Sequence, residues 1–194
     1  MENKFIISKF VLSKTNRMKN ILAFAGSNSS TSINKQLAKY ASSLLNDVEV
    51  NLIDLNDFEA PMFGVDLESD LDEAPESAHR LLNLIKESDG IVLSLAEHNG
   101  VYATVFKNLF DWMTRIEGNF LFKKPMLLMA TSPGARGGQT VLTIAEARFP
   151  WHDGNIVATY SLPSFDANFE NGKITNKELN NELLEQVEKL QKAL

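Results

Sequence analysis

Along the 194-residue chain, five short apolar runs alternate with stretches whose apolar positions recur at helical spacing. The runs are Ile21–Ala25, Val48–Ile53, Ile91–Leu95, Met126–Ala130 and Ile156–Tyr160. Several are nearly unbroken, the pattern of strands buried on both faces. After the first run, Leu37, Ala38, Ala41, Leu44 and Leu45 share one helical face. Pro75 suits the first turn of a second helix, striped by Leu81, Leu82, Leu84 and Ile85 and stopped at Asp89-Gly90. A third carries Val105, Phe106, Leu109, Phe110 and Met113, with Lys107, Asn108 and Asp111 largely opposite. A fourth runs from about Thr140 to Arg148 and ends before Pro150. A last helix follows Thr175, where Thr175-x-x-Glu178 reads as a capping box. Leu179, Leu183, Leu184, Val187 and Leu190 are its stripe, and Glu185/Lys189 and Glu188/Lys192 its supporting pairs. Strands alternating with helices predict an α/β fold, a parallel sheet covered on both faces. Right-handed crossovers leave few topologies.

The first strand runs into Gly26-Ser27-Asn28-Ser29-Ser30-Thr31-Ser32, and a helix follows. The first N–H groups of a helix lack internal partners, so a strand, a hydroxyl-rich loop and a helix start outline an anion site. A pyrophosphate fingerprint needs two further glycines, and a P-loop needs a lysine before its Ser/Thr; neither is present. What remains suits a terminal monophosphate, such as that of FMN; the plain alternative is a serine-rich turn with Ser32 capping the helix. With that loop after the first strand, the order 2-1-3-4-5 puts the switch point between strands one and three. The Ser27–Asn34 loop, the Glu97–Gly100 turn and the Ser132–Gly138 loop then converge at one sheet edge. Asp54, ending the second strand, reads as a ribose-binding acid or a solvated strand end. Pro61-Met62-Phe63-Gly64 either lines a site or packs under the acidic loop Asp66–Glu73.

Composition narrows the function. A net charge of −6 disfavours nucleic acid and anionic membranes as partners. The absence of cysteine excludes disulfides, thiolate metal sites and cysteine nucleophiles. His79, His98 and His152 are too widely spaced for a local metal motif. No stretch approaches the roughly 18 apolar residues that span a bilayer, and the N-terminus is a poor signal peptide. The expectation from these features is a cytoplasmic protein. Residues 1–17 read as a mobile appendage, an upstream start before Met18, and 18–194 as one domain.

The three turns carry a family resemblance. Gly26-Ser27-Asn28-Ser29-Ser30-Thr31-Ser32-Ile33-Asn34 is similar to G-S-x-R-x-x-S-x-N, and Ala96-Glu97-His98-Asn99-Gly100 to P-E-Y-N-G. Phe106-Lys107-Asn108-Leu109-Phe110-Asp111-Trp112 is similar to L-K-N-x-x-D-W, and Ser132 to Gly138 to a Ser/Gly-rich turn. From about Lys19 to Pro163 the chain resembles the NAD(P)H-dependent FMN reductases, relatives of quinone, azo-dye and chromate reductases. The resemblance implies a flavodoxin-like three-layer sandwich with a five-stranded parallel sheet of order 2-1-3-4-5. It implies FMN as cofactor, NADPH or NADH as hydride donor and a small-molecule electron acceptor. It also implies a homodimer or a dimer of dimers, for which Phe63, Phe106, Phe110 and Trp112 are contact candidates, core packing being their other explanation.

Carried over residue by residue, Ser27, Ser29, Ser32, Ile33 and Asn34 would hold the phosphate. Ala96, Glu97, His98, Asn99 and Gly100 would edge the isoalloxazine. Ser132, Gly134, Gly137 and Gly138 would let the main chain reach ring and ribityl, unless the glycines form a plain loop. Ser29 stands in place of an arginine, which implies weaker FMN binding or a lesser preference for NADPH. Ala96 replaces proline and His98 replaces tyrosine. No side chain is required as an acid or base, His98 being either a proton donor or a turn histidine. Arg136 either meets nicotinamide phosphates or lies in solvent. The rival readings are a flavodoxin-like single-electron carrier and a flavin-free adaptor.

Overall fold

A computed structural model describes residues 17–194. The expected appendage at residues 1–17 falls outside the described residues except for Arg17, whose guanidinium pairs with Asp89 at 3.3 Å. Strand β1 (Lys19–Gly26) leads to helix α1 (Ile33–Ser43), strand β2 (Val48–Leu52) and a 3-10 turn at Leu55–Phe58. Helices α2 (Val65–Asp70) and α3 (Glu76–Glu87) precede strand β3 (Gly90–Leu95). The short strands β4 (Glu97–His98) and β5 (Val101–Tyr102) form a hairpin before helix α4 (Thr104–Ile116). Strand β6 (Pro125–Thr131), helix α5 (Gln139–Arg148) and a 3-10 turn at Phe149–His152 lead to strand β7 (Asn155–Leu162). Helix α6 (Phe165–Asn168), the hairpin of β8 (Phe169–Glu170) and β9 (Lys173–Ile174), and helix α7 (Lys177–Ala193) complete the chain.

The main sheet is all parallel in the order β2-β1-β3-β6-β7, the flavodoxin-like arrangement. Its central strands carry the apolar runs, with Ile21, Val92, Leu127 and Met129 fully buried. Alternate residues feed two cores. Leu22, Phe24, Leu93 and Leu128 pack with α3, α4 and α5 on one face. Ile21, Ala23, Val92 and Leu127 pack with α1 and α7 on the other. A residue buried from both sides cannot be polar without a partner, which is why these strands read as continuous apolar runs.

The details differ from the sequence expectation in several places. The acidic loop Asp66–Glu73 contains α2, docked by a Glu68–Arg115 ion pair. The cap of α7 is Asn176, whose carboxamide oxygen accepts from Leu179 N at 3.1 Å. Thr175 lies one residue before the cap, and its N–H bonds Asn168 O, closing the preceding hairpin. Lys192 pairs with Glu188, whereas Lys189 donates to Gln186 rather than to Glu185. Phe106, Phe110 and Trp112 are 3%, 4% and 0% exposed, which favours core packing, the second of their two readings. Phe63 sits edge-on to Trp112.

Candidate functional site

The loops after β1, β3 and β6 meet at the carboxyl rim of the sheet, as the topology requires. The first is stitched by its own hydroxyls. Ser29 N donates to Ser27 Oγ (3.2 Å), Thr31 N to Ser29 Oγ (3.3 Å) and Lys35 N to Ser32 Oγ (3.1 Å). Ser32 is therefore the cap of α1. The first bond running back from the helix is Gln36 N to Ser32 O, so the N–H groups of Ile33 and Asn34 lie ahead of the ladder. Ser27 and Ser32 accept through oxygen and keep a proton to give. The turn thus gathers neutral donors without a cation. Lys35, inside α1 and beyond the loop, is paired with Asp54, whose carboxyl that contact holds below its ordinary range. Asp54 also caps the 3-10 turn through Asn56 N (3.0 Å). Asp54 is thus a partly exposed strand end whose oxygens are engaged by Lys35 and Asn56 rather than left free for a ribose.

Asn34 departs from expectation. Its side chain is 3% exposed and turned into the sheet. Its Oδ1 accepts from Ser94 Oγ (2.7 Å) and Thr131 N (3.0 Å), and its Nδ2 donates to Thr131 O (3.2 Å). The amide is committed to joining α1, β3 and β6, and only the backbone N–H of Asn34 faces the anion role.

The polar turn expected at Glu97–Gly100 is the tip of a hairpin. Asn99 and Gly100 have φ of 52° and 84°. Two left-handed residues between paired strands suit a two-residue type I′ connection, and Asn-Gly is its preferred sequence. Ala96, 7% exposed, accepts from Ala103 N at 3.3 Å and closes the base. Glu97 points away from the hairpin tip, and its Oε2 accepts from Val141 N (3.0 Å) in the first turn of α5. A carboxylate on a helix N-terminus satisfies an orphan donor and complements the dipole. His98 is exposed.

The third turn is held by Gly137 N and Ser164 N donating to Gly134 O, at 3.2 and 3.0 Å. Ser132 Oγ donates to Gly134 O at 3.3 Å. Gly137 (φ 58°) and Gly138 (φ 77°) are both buried. A Cβ on Gly137 would collide with Ser161 Oγ and approach the Leu162 carbonyl at 2.9 Å, and one on Gly138 would meet Ala130 Cβ at 2.8 Å. Their lack of a side chain is required by the packing of this loop on β6 and β7, and a ligand is not needed to explain it. A Cβ on Gly134 would make only an ordinary contact, 3.8 Å from Ser132 Oγ. Arg136 is exposed and donates to Thr140 Oγ1 at 3.0 Å.

A cleft of about 410 Å³ opens beside these turns, lined by Asn28, Phe58, Met62, His98, Thr104 and Leu109 among others. One wall is the Ala60–Phe63 segment. Asn108 Nδ2 donates to Ala60 O (3.2 Å) and Pro61 O (3.0 Å), its Oδ1 accepts from Phe63 N (2.7 Å), and Trp112 Nε1 donates to Pro61 O (2.8 Å). Asn108, expected largely opposite the apolar face, is buried. The Asn108-x-x-x-Trp112 spacing, one helical turn with two side-chain donors, was the sequence signal for this anchor.

Comparison with known proteins agrees with the geometry. The chain is 29% identical over 148 residues to an uncharacterized protein of Mycoplasma pneumoniae, covering 74% of this chain and 86% of that one. It is 33% identical over 119 residues to a 2-hydroxy-1,4-benzoquinone reductase of Burkholderia sp., covering 60% and 62%, so the match spans under two thirds of that relative. The solved structure of FerB, an NAD(P)H:acceptor oxidoreductase of Paracoccus denitrificans, superposes with a TM-score of 0.69 at 28% identity, covering 90% of this chain and 96% of that one. The NADPH-dependent FMN reductase profile matches residues 19–166, a span that takes in all five sheet strands and all three turns. The chain belongs to that family, NAD(P)H-driven oxidoreductases that work through FMN.

Proposed function

We propose that FMN is held along the rim formed by the three turns and that the chain passes reducing equivalents from NADPH or NADH to a small electrophile such as a quinone. FMN, when bound, supplies the hydride-accepting and electron-delivering chemistry. The observation that carries this reading is the start of α1. There the Ser27 and Ser32 hydroxyls and the Ile33 and Asn34 N–H groups offer four neutral donors at the positive end of a helix dipole. That donor set fits a terminal phosphate. Ser29, with Thr31, shapes the turn and takes no charge to it. The hairpin, with Ala96 at its base and Glu97 locked on α5, steadies His98, Asn99 and Gly100 beside one side of the rim. Ser132, Gly134, Gly137 and Gly138 form the other side. No side chain is assigned as a catalytic acid or base. Flavodoxin-like electron carriage without NAD(P)H oxidation has no comparable support, since the matching family consists of reductases.

Binding of FMN against riboflavin tests the phosphate site. The account expects FMN to bind about a hundredfold tighter, the worth of two or more charge-assisted hydrogen bonds. Equal affinity would remove the phosphate from the first turn. A homodimer or homotetramer in the cytoplasm completes the proposal. Among the described residues no helix is long and apolar enough to cross a membrane, and Val65 and Trp151, 70% and 75% exposed, are apolar side chains available for self-contact. Light scattering of the purified protein gives the mass that decides it.

A further inference from the structure

We infer that the cleft between Asn28, Met62 and His98 is the acceptor site, and that it selects uncharged planar acceptors over anionic ones; the inference rests on the reductase reading above. The cleft opens between the first turn and the hairpin, so a ring seated in it lies beside whatever those two turns hold. Its volume of about 410 Å³ lies in the range of small-ligand pockets. Phe58, Val105 and Leu109 give it apolar walls, while Asn28, Thr104 and His98 can meet carbonyl oxygens. Met62, 64% exposed, stands at its edge. The backbone carrying Met62 is fixed by the bonds from Asn108 and Trp112. An unbranched thioether on a rigid support can adapt to rings of different shape.

Charge decides the selectivity. Glu59 is the carboxylate lining the cleft, and neither lysine nor arginine lines it. Arg80 stacks on the ring of Phe58, 4.8 Å from its centroid, without lining the cleft. Lys107, on the helix forming one wall, is paired with Asp111. A carboxylate or sulfonate entering here would lose water beside Glu59 and meet no counter-ion, in a molecule of net charge −6.

The test uses the FMN-loaded protein with NADPH or NADH and two naphthoquinones of one ring system, uncharged and sulfonated. At low ionic strength the expected KM for the sulfonated compound is about tenfold higher. Glu59→Gln narrows that gap, Glu59→Lys narrows it further, and added salt narrows it in the wild type. Met62→Ala raises KM for the uncharged compound. Equal KM values, or a gap that ignores both Glu59 and salt, would overturn the inference. So would Met62 and Glu59 variants that change FMN affinity and leave the acceptor KM alone, since the cleft would then belong to the cofactor. Flavin that stays oxidised with both nicotinamides would overturn the reductase reading itself, so the two failures are distinguishable.

Discussion

Asn34 shows how much one buried amide can determine. It bridges three elements through partners 60 and 97 residues away in sequence. Asn34→Ala would leave the Ser94 hydroxyl and the Thr131 N–H buried without partners. The expected cost is about 2–4 kcal/mol, read from urea or guanidinium unfolding, and a loss under about 0.5 kcal/mol would contradict the assignment. In sequence Asn34 follows the cap of α1, whereas its side chain turns into the sheet. Position after a cap is a local signal, whereas the inward turn depends on where β3 and β6 pass beneath α1. The same holds for Glu97, whose partner Val141 N comes from a different loop. Ser32 was legible because its capping bond is made within three residues.

At the scale of elements, the strands and long helices were legible because burial on two faces or one imposes a period on the sequence. The short pieces were not. Helix α2 has no buried residue and hence no stripe to read. The β4–β5 hairpin carried its Asn-Gly signal, but its strands are only two residues each. That hairpin and α5 are coupled through Glu97, and Glu97→Ala should loosen both turns flanking the rim. FMN affinity is expected to fall about tenfold, the loss of one charge-assisted bond, with Glu97→Gln recovering most of it because its amide oxygen can still accept from Val141 N. An alanine variant with wild-type affinity by fluorescence titration would detach the hairpin from the site. The Lys35–Asp54 pair ties α1 to the segment after β2. Asp54's carboxyl lies below its ordinary range in the folded protein, chiefly through the hydrogen bond from Lys35. Its contribution is therefore present above about pH 4, the ordinary carboxylate value, and is lost as pH falls through the depressed value. Melting temperatures across pH 3–6 should show a shallower acid decline in Asp54→Asn than in the wild type.

Across the whole molecule, the parallel order β2-β1-β3-β6-β7 brings turns separated by more than a hundred residues to one rim. The two cores hold the sheet, and the loops add donors, a carboxylate clamp and a small apolar cleft. That division explains why the fold was readable from apolar patterning while the site was readable only in part. The donors are local, but the walls of the cleft come from Phe58, Met62, His98 and Leu109 on three separate segments. The most direct test of the account is an anaerobic titration of the FMN-loaded protein with NADPH and with NADH, followed at the flavin absorption band. The account predicts yellow protein that bleaches with at least one donor and recovers its colour when a quinone is added. Yellow protein indifferent to both donors, or colourless protein that takes up no FMN, would contradict it.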